Sequence, residues 1–387
     1  MKIPAPRMRS EGWSRREFLE ASGAGCLLAA LGPIAGRASA VFPELRIAKN
    51  LSSVEARYYE KLPNRRVRCK LCPRECVIDD QERGYCGVRE NRGGTYFTLV
   101  HSRPVSIHVD PIEKKPFFHF LPGTEALSLA TVGCNVECKF CQNWQISQVR
   151  PEQVDAYEAS PQLIAELAQQ AGSPTISYTY TEPVVFVEYM YDCAAEGRKK
   201  GIRNVMVSNG YIQKGAMEDL CGVLDAVKID LKAFTERFYT ELVAGELKPV
   251  LETLKLLVSR GMWTEIVYLM IPTKNDSKDE LKEMCRWIVG ELGPNVPVHF
   301  TRFYPQYRLR NLPPTPVETL RMAREIALEA GIHFAYIGNV PGDEGENTYC
   351  PRCHSVLIRR VGFSVLQNNL KSGRCPKCGE RIPGVWS

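Results

Sequence analysis

Between residues 126 and 340 the sequence alternates between two hydrophobic periodicities, and that alternation constrains the fold more than any other feature. Short apolar runs read as strands at Ala126–Val132, Thr175–Thr179, Asn204–Ser208, Ala226–Asp230, Thr264–Met270, Val298–Phe303 and His333–Ile337. Amphipathic helical patterns separate them, at Ser160–Ala171, Val184–Lys200, Ala216–Leu224, Lys248–Arg260, Lys278–Leu292 and Pro316–Ala330. Ser160 and Ser277 read as N-caps, and Gly172, Gly201, Gly261 and Gly331 as stops. This spacing predicts an α/β fold with a parallel sheet, and the short joints favour a full or partial TIM-type barrel. Polar motifs recur where strands end, which is where barrel enzymes keep their chemistry. Examples are Gly133-Cys134, Thr181-Glu182-Pro183, Ser208-Asn209-Gly210, Lys228-Ile-Asp230-Leu-Lys232 and Arg302-Phe-Tyr304.

Cysteine usage is the outlier in an otherwise ordinary composition. Eleven of the 15 cysteines fall in three groups: Cys69, Cys72, Cys76 and Cys86; Cys134, Cys138 and Cys141; and Cys350, Cys353, Cys375 and Cys378. C-x2-C spacing in tight groups points to metal rather than to a disulfide framework. Cys26, Cys193, Cys221 and Cys285 stand in apolar, helix-like contexts and read as small buried hydrophobes. The middle group, C-x3-C-x2-C directly after an apolar run, supplies three thiolates within eight residues. Three thiolates can hold three irons of a [4Fe-4S] cluster and leave the fourth iron open. Zinc prefers four ligands, and no fourth lies nearby. The last group, two knuckles beside Pro and Gly, reads as a tetrahedral zinc-ribbon-like site. For the first group two readings stand side by side, zinc or an auxiliary iron–sulfur cluster.

These blocks divide the chain into a leader (1–40), a linker with a four-cysteine module (41–125), a core barrel (126–340) and a C-terminal four-cysteine module (341–387). A short helix is expected at Ser52–Lys61, a hairpin around Asn91-Arg-Gly-Gly94 with a strand at Thr95–Val100, and irregular chain through Pro104, Pro111, Pro116 and Pro122.

The cysteine signature with Phe140 resembles that of radical S-adenosylmethionine (SAM) enzymes. Further stretches extend the likeness: Cys69-Lys-Leu-Cys-Pro-Arg-Glu-Cys76, Arg83-Gly-Tyr-Cys-Gly-Val-Arg-Glu-Asn91, Cys141-Gln-Asn-Trp144, Ile271-Pro-Thr-Lys-Asn-Asp276, His299-Phe-Thr-Arg-Phe-Tyr-Pro305, and Tyr336 through Cys350. Together they resemble the radical SAM enzyme of the AmmeMemoRadiSam system, a relative of pyruvate formate-lyase activating enzymes. The resemblance implies SAM chelated on the open iron and cleaved to a 5′-deoxyadenosyl radical that abstracts hydrogen from a substrate, with a protein among the candidates. It places Phe140 beside the cluster, and Thr181 and Glu182 where the family carries a Gly-Gly-Glu-Pro-type motif that receives SAM; Tyr180-Thr181 replaces the diglycine. Ser208 and Asn209 offer a hydroxyl and an amide to ribose or carboxylate. Lys228, Asp230 and Lys232 share one face of a strand and read as a catalytic group; a similar Asp-Leu-Lys segment contacts SAM in the glycyl-radical-activating branch. Implied partners are Memo-like and Amme-like proteins and a low-potential electron donor. A glycyl-radical activase, or an electron-transfer or metal-binding protein without SAM chemistry, are the competing readings.

Net charge is +6, of which residues 1–40 contribute half through six Lys/Arg and three Glu, so no nucleic-acid footprint remains. Ser14-Arg-Arg-Glu-Phe-Leu19, an apolar run and Ala38-Ser-Ala40 form a Tat-type leader. It implies export or membrane association through the leader, while SAM and a strong reductant argue for the cytoplasm.

Overall fold

The computed structural model describes residues 45–387; the Tat-type leader and Cys26 lie outside them. Among the described residues seventeen strands are numbered in chain order. The first six are short: β1 (Val54–Glu55), β2 (Tyr59–Lys61), β3 (Val67–Cys69), β4 (Val77–Ile78), β5 (Arg89–Arg92) and β6 (Thr95–Thr98). They form two three-stranded antiparallel sheets, β1-β6-β5 and β2-β3-β4. The hairpin at Asn91–Gly94 is present, with Gly93 and Gly94 at φ +65° and +88°, the left-handed pair that a tight hairpin turn demands. The helix expected at Ser52–Lys61 does not form. Val54 and Glu55 pair with Thr98 and Phe97, Tyr59–Lys61 pair with Val67–Cys69, and Tyr58 at φ +57° breaks the chain between them. Pairing with strands distant in sequence overrides the local helical pattern.

The core is one eight-stranded sheet: β7 (Ser106–Pro111), β8 (Glu125–Ala130), β9 (Thr175–Tyr178), β10 (Arg203–Ser208), β11 (Ala226–Asp230), β12 (Trp263–Met270), β13 (Val298–Arg302) and β14 (Ala335–Gly338). β8 to β14 run parallel in sequential order and β7 joins β8 antiparallel. Every crossover therefore steps the same way, and right-handed crossovers then put all the helices on one face. The other face encloses a lumen. The two edges, β7 and β14, do not pair, so the barrel is not closed. β9 is buried at every position and β11 at all but its last, so neither alternates between buried and exposed positions. The seven expected parallel strands appear within two residues of their predicted ends. β7 was not expected, because its prolines read as irregular; Pro111 is instead the last residue of an edge strand, where a missing N–H is tolerated.

Helix ends follow the sequence. Ser160 Oγ accepts from Leu163 N at 3.2 Å and Ser277 Oγ from Glu280 N at 3.3 Å. Gly172, Gly201, Gly261 and Gly331 all have positive φ. Cys193 and Cys285 are fully buried and Cys221 partly so.

The C-terminal module is the antiparallel sheet β15 (Thr348–Tyr349), β16 (Val356–Val361) and β17 (Ser364–Asn368). It docks on the segment between β7 and β8: Val385 N donates to His119 O, Leu121 N to Val385 O, and Arg360 Nη2 to Phe118 O. Among the described residues no helix is long and apolar enough to cross a membrane.

Candidate functional site

The loop that follows β8 carries Cys134, Cys138 and Cys141 at the C-terminal mouth of the sheet. It is held from several sides. Glu137 N donates to Val243 O, Lys139 N to Leu242 O, Gly133 N to Ile146 O and Cys141 N to Cys138 O. The Cys141 sulfur lies 3.2 Å from Ser147 Oγ. Phe140, between Cys138 and Cys141 in the loop, is buried, its ring 5.7 Å from that of Phe238 and 6.0 Å from Lys232 Nζ. Gln142 and Trp144 brace the loop: Gln142 O accepts from Gln306 Nε2, and Trp144 stacks on Tyr307. Burial pushes the Cys138 thiol up to about 12, against the pull of nearby Lys232. Metal binding here must therefore release protons.

Glu182 organises the neighbouring strand ends. Its Oε1 accepts from Ser208 Oγ at 2.7 Å and Val184 N at 3.1 Å, and its Oε2 accepts from Asn209 N at 2.8 Å. Burial raises its pKa to about 7 despite these donors. Asn209 then reaches the cysteine loop, with Nδ2 donating to Asn135 Oδ1 at 2.8 Å and lying 4.0 Å from the Cys134 sulfur. Thr181 turns back to β8, its hydroxyl donating to Thr131 O at 2.8 Å. Thr181, Glu182, Ser208 and Asn209 thus meet at one mouth, with Glu182 and Thr181 bonded within the chain. Tyr180 sits at φ +64°. That left-handed backbone is one a glycine would adopt freely.

Lys228, Asp230 and Lys232 meet as the strand period requires. Lys228 Nζ binds Asp230 Oδ1, and Lys232 Nζ lies 3.4 Å from Oδ2. Burial lowers the pKa of Lys228. Burial also opposes charge on Lys232, but Asp230 and then Cys138 outweigh it and raise that pKa. Asp230 is the exposed member, its side chain 33% accessible at the mouth. Sequence reasoning missed a second charged group in the same lumen. Lys115 Nζ donates to Asp110 Oδ2 at 2.6 Å, Lys114 Nζ to Oδ1 at 2.8 Å, and Tyr180 OH also donates to Asp110. Burial brings Lys115 down to about 8, with Asp110 opposing. The available signal was Asp110-x3-Lys114-Lys115 beside a strand that was not recognised.

The remaining cysteines form two different sites. Cys350, Cys353, Cys375 and Cys378 have all four sulfurs within 4.8 Å of one another, with Cys350–Cys378 and Cys353–Cys375 at 3.6 Å. This four-cysteine cluster can bind a metal. Among the described residues it is the only group of three or more His, Cys, Asp or Glu that close. Cys69, Cys72, Cys76 and Cys86 instead line a shared pocket with Arg74, Arg89 and Asn135. The sulfurs of Cys134, Cys138 and Cys141 do not close within that limit.

Comparison with known proteins bears on this geometry. The profile of the Radical SAM superfamily matches residues 128–288. "Uncharacterized protein MJ0808" of Methanocaldococcus jannaschii is 47% identical over 330 residues, covering 85% of this chain and 98% of that protein. The pyruvate formate-lyase 1-activating enzyme of Escherichia coli K12 is 22% identical over 38% of this chain and 61% of its own length. The putative glycyl-radical enzyme activating enzyme MJ1632 of M. jannaschii is 22% identical over 56% of this chain and 80% of its own.

Proposed function

Because the chain belongs to the radical SAM superfamily, within the family of MJ0808 and related to the activases of glycyl-radical enzymes, we propose that it cleaves SAM reductively and removes a hydrogen atom from a substrate held over the barrel mouth. The observation that carries this is the loop of Cys134, Cys138 and Cys141 facing the Lys228–Asp230–Lys232 group across one strand-end mouth. Cys134, Cys138 and Cys141 would hold a [4Fe-4S] cluster, which with bound SAM and one electron from an external low-potential donor would supply homolytic cleavage chemistry ending in methionine and 5′-deoxyadenosine.

The chain's own residues do the rest. Lys232, held protonated, offsets the negative charge of a thiolate-ligated cluster. Asp230 offers an accessible acceptor for hydroxyl or ammonium groups. Glu182 positions Ser208 and Asn209, and through Asn209 the Cys134 loop. It has used three of about four acceptor directions, which leaves one for a ligand. Phe140 packs under the loop and excludes water. The compact cysteine set at Cys350–Cys378 suits zinc and a structural role, since four thiolates leave no open position. The resemblance to the AmmeMemoRadiSam system adds a proposal of Memo-like and Amme-like partners, and the activase relatives make a protein substrate the first to try.

The test is anaerobic. Reconstituted protein is reduced with dithionite in the presence of SAM, and 5′-deoxyadenosine is measured beside a Cys134/Cys138/Cys141 triple-Ala variant. Product from the parent alone is expected. Failure of the parent to bind SAM at all moves a pure electron-transfer protein into first place.

A further inference from the structure

The two four-cysteine groups have the same ligands and different geometry. Zinc–sulfur bonds of about 2.3 Å put tetrahedral thiolates about 3.8 Å apart, and the C-terminal group has that spacing, with closest pairs at 3.6 Å. In the N-terminal group no three sulfurs lie within 4.8 Å of one another, yet all four cysteines line one pocket. All four therefore face one pocket without closing on a single point as the C-terminal group does.

A second observation points into the same pocket. Arg89 lines it and is 1% exposed. Its Nη2 binds Glu188 and its Nε lies 3.4 Å from Val185 O. Its Nη1 has no partner among the described residues. A buried donor left unpaired costs about 1–3 kcal/mol, so an anionic acceptor is expected beside it.

We propose that Cys69, Cys72, Cys76 and Cys86 bind a second [4Fe-4S] cluster, not zinc, with Arg89 as its buried hydrogen-bond donor. The sulfur spacing identifies the group: thiolates on the separate irons of a cube stand farther apart than thiolates sharing one ion. Arg89 identifies its charge, since a cube with four thiolates is anionic and its sulfurs accept hydrogen bonds. The site abuts the first cluster's loop. A Cβ on Gly133 would meet Cys86 O at 3.0 Å and Val88 Cγ1 at 2.7 Å. Arg74 Nε donates to Asn135 O at 2.6 Å, and Asn135 lines the same pocket. The chain therefore passes from the second cluster's ligand Cys86 to the first cluster's ligand Cys134 through direct packing.

The experiment measures iron, acid-labile sulfide and zinc in the full chain, prepared anaerobically, beside the Cys134/Cys138/Cys141 triple-Ala variant. The parent is expected to hold about eight irons and the variant about four, each with matching sulfide, plus a single zinc. An iron-free variant overturns the proposal, whether or not a second zinc appears, as does iron without sulfide. A parent with about four irons that binds SAM leaves the radical SAM reading standing while the second cluster fails. Should the triple variant not fold, redox-poised electron paramagnetic resonance of the parent decides: two reduced-cluster signals are expected, and only one should respond to SAM. Arg89→Met made together with Glu188→Gln leaves no unpaired carboxylate. It should move the midpoint of the SAM-insensitive signal to more negative potential, because hydrogen bonds to cluster sulfur favour reduction. An unmoved midpoint removes Arg89 from the role.

Discussion

Gly133 has φ +98°, and a Cβ added there would stand 2.7 Å from Val88 and 3.0 Å from the Cys86 carbonyl. Both the backbone and the space therefore require glycine immediately before Cys134. Gly133→Ala should cost about 2–4 kcal/mol, from left-handed strain together with overpacking. It should also halve, or worse, the iron retained after reconstitution. Gly215→Ala, in helix Lys214–Cys221 with open space around it, should stabilise by about 0.5–1 kcal/mol and keep the iron. Urea unfolding and iron analysis of the pair check this; equal behaviour of the two variants defeats the argument. Glu182 makes the complementary case. Glu182→Ala leaves the Ser208 hydroxyl and the Asn209 and Val184 N–H groups unmet, with an expected loss of about 2–4 kcal/mol. Glu182→Gln keeps one carbonyl acceptor and should lose less, a ranking that thermal unfolding of the two proteins reads directly.

Among the elements, β11 carries its charges as a unit. Lys228 is buried with Asp230 as its counter-ion, whereas Asp230 has Lys232 as well. Asp230→Asn leaves two cations facing each other, one of them fully buried, and should cost about 3–5 kcal/mol. Lys228→Met keeps the Asp230–Lys232 pair and replaces a buried ion by apolar volume, so about 0–2 kcal/mol is expected. Matching losses in denaturant unfolding count against this asymmetry. The strand was legible because Lys-x-Asp-x-Lys has the period of two that puts three side chains on one face. The parallel strands were legible because burial on both faces favours short runs rich in apolar and β-branched residues, set between amphipathic helical patterns. β7 was not, since its place depends on pairing with β8 and its prolines imitate a loop. Likewise, residues 54–61 look helical by themselves and become strands only when Thr95–Thr98 and Val67–Cys69 lie beside them. The site follows the same division. Cysteine spacing is local and could be read, while the bond from Ser208 to Glu182 and the Asp110–Lys115–Tyr180 group join residues that only folding brings together.

At the scale of the molecule, the C-terminal module and the sheet share one buried polar junction, and this makes stability depend on pH. His119 lies between β7 and β8 and is fully buried. Its Nδ1 is 2.7 Å from Pro383 O and its Nε2 2.5 Å from Tyr336 OH. A carbonyl can only accept, so Nδ1 carries the proton and Nε2 accepts from the tyrosine in a neutral ring. Glu265 receives the Phe118 and His119 N–H groups and binds His299 Nε2 at 2.7 Å. Burial lowers His119 from 6.5 to about 4, with Glu265 opposing and Arg360 and His299 assisting. Below pH 6.5 the unfolded chain takes up a proton that the folded chain refuses, so stability should fall as pH drops from about 6.5 to 4 and level off below. The span corresponds to about 3 kcal/mol at 1.36 kcal/mol per unit. His119→Gln removes the titration while keeping polar atoms near Pro383 and Tyr336. Its urea midpoint should be lower than the parent's at pH 7.5, and the two curves should converge as pH approaches 4.5. Curves that stay parallel would place the acid sensitivity elsewhere. Cys378→Ala separates the share of the four-cysteine group: it should loosen the module and lower the midpoint at every pH while the iron content stays at parent level, as should SAM binding, which Cys141→Ala is expected to abolish.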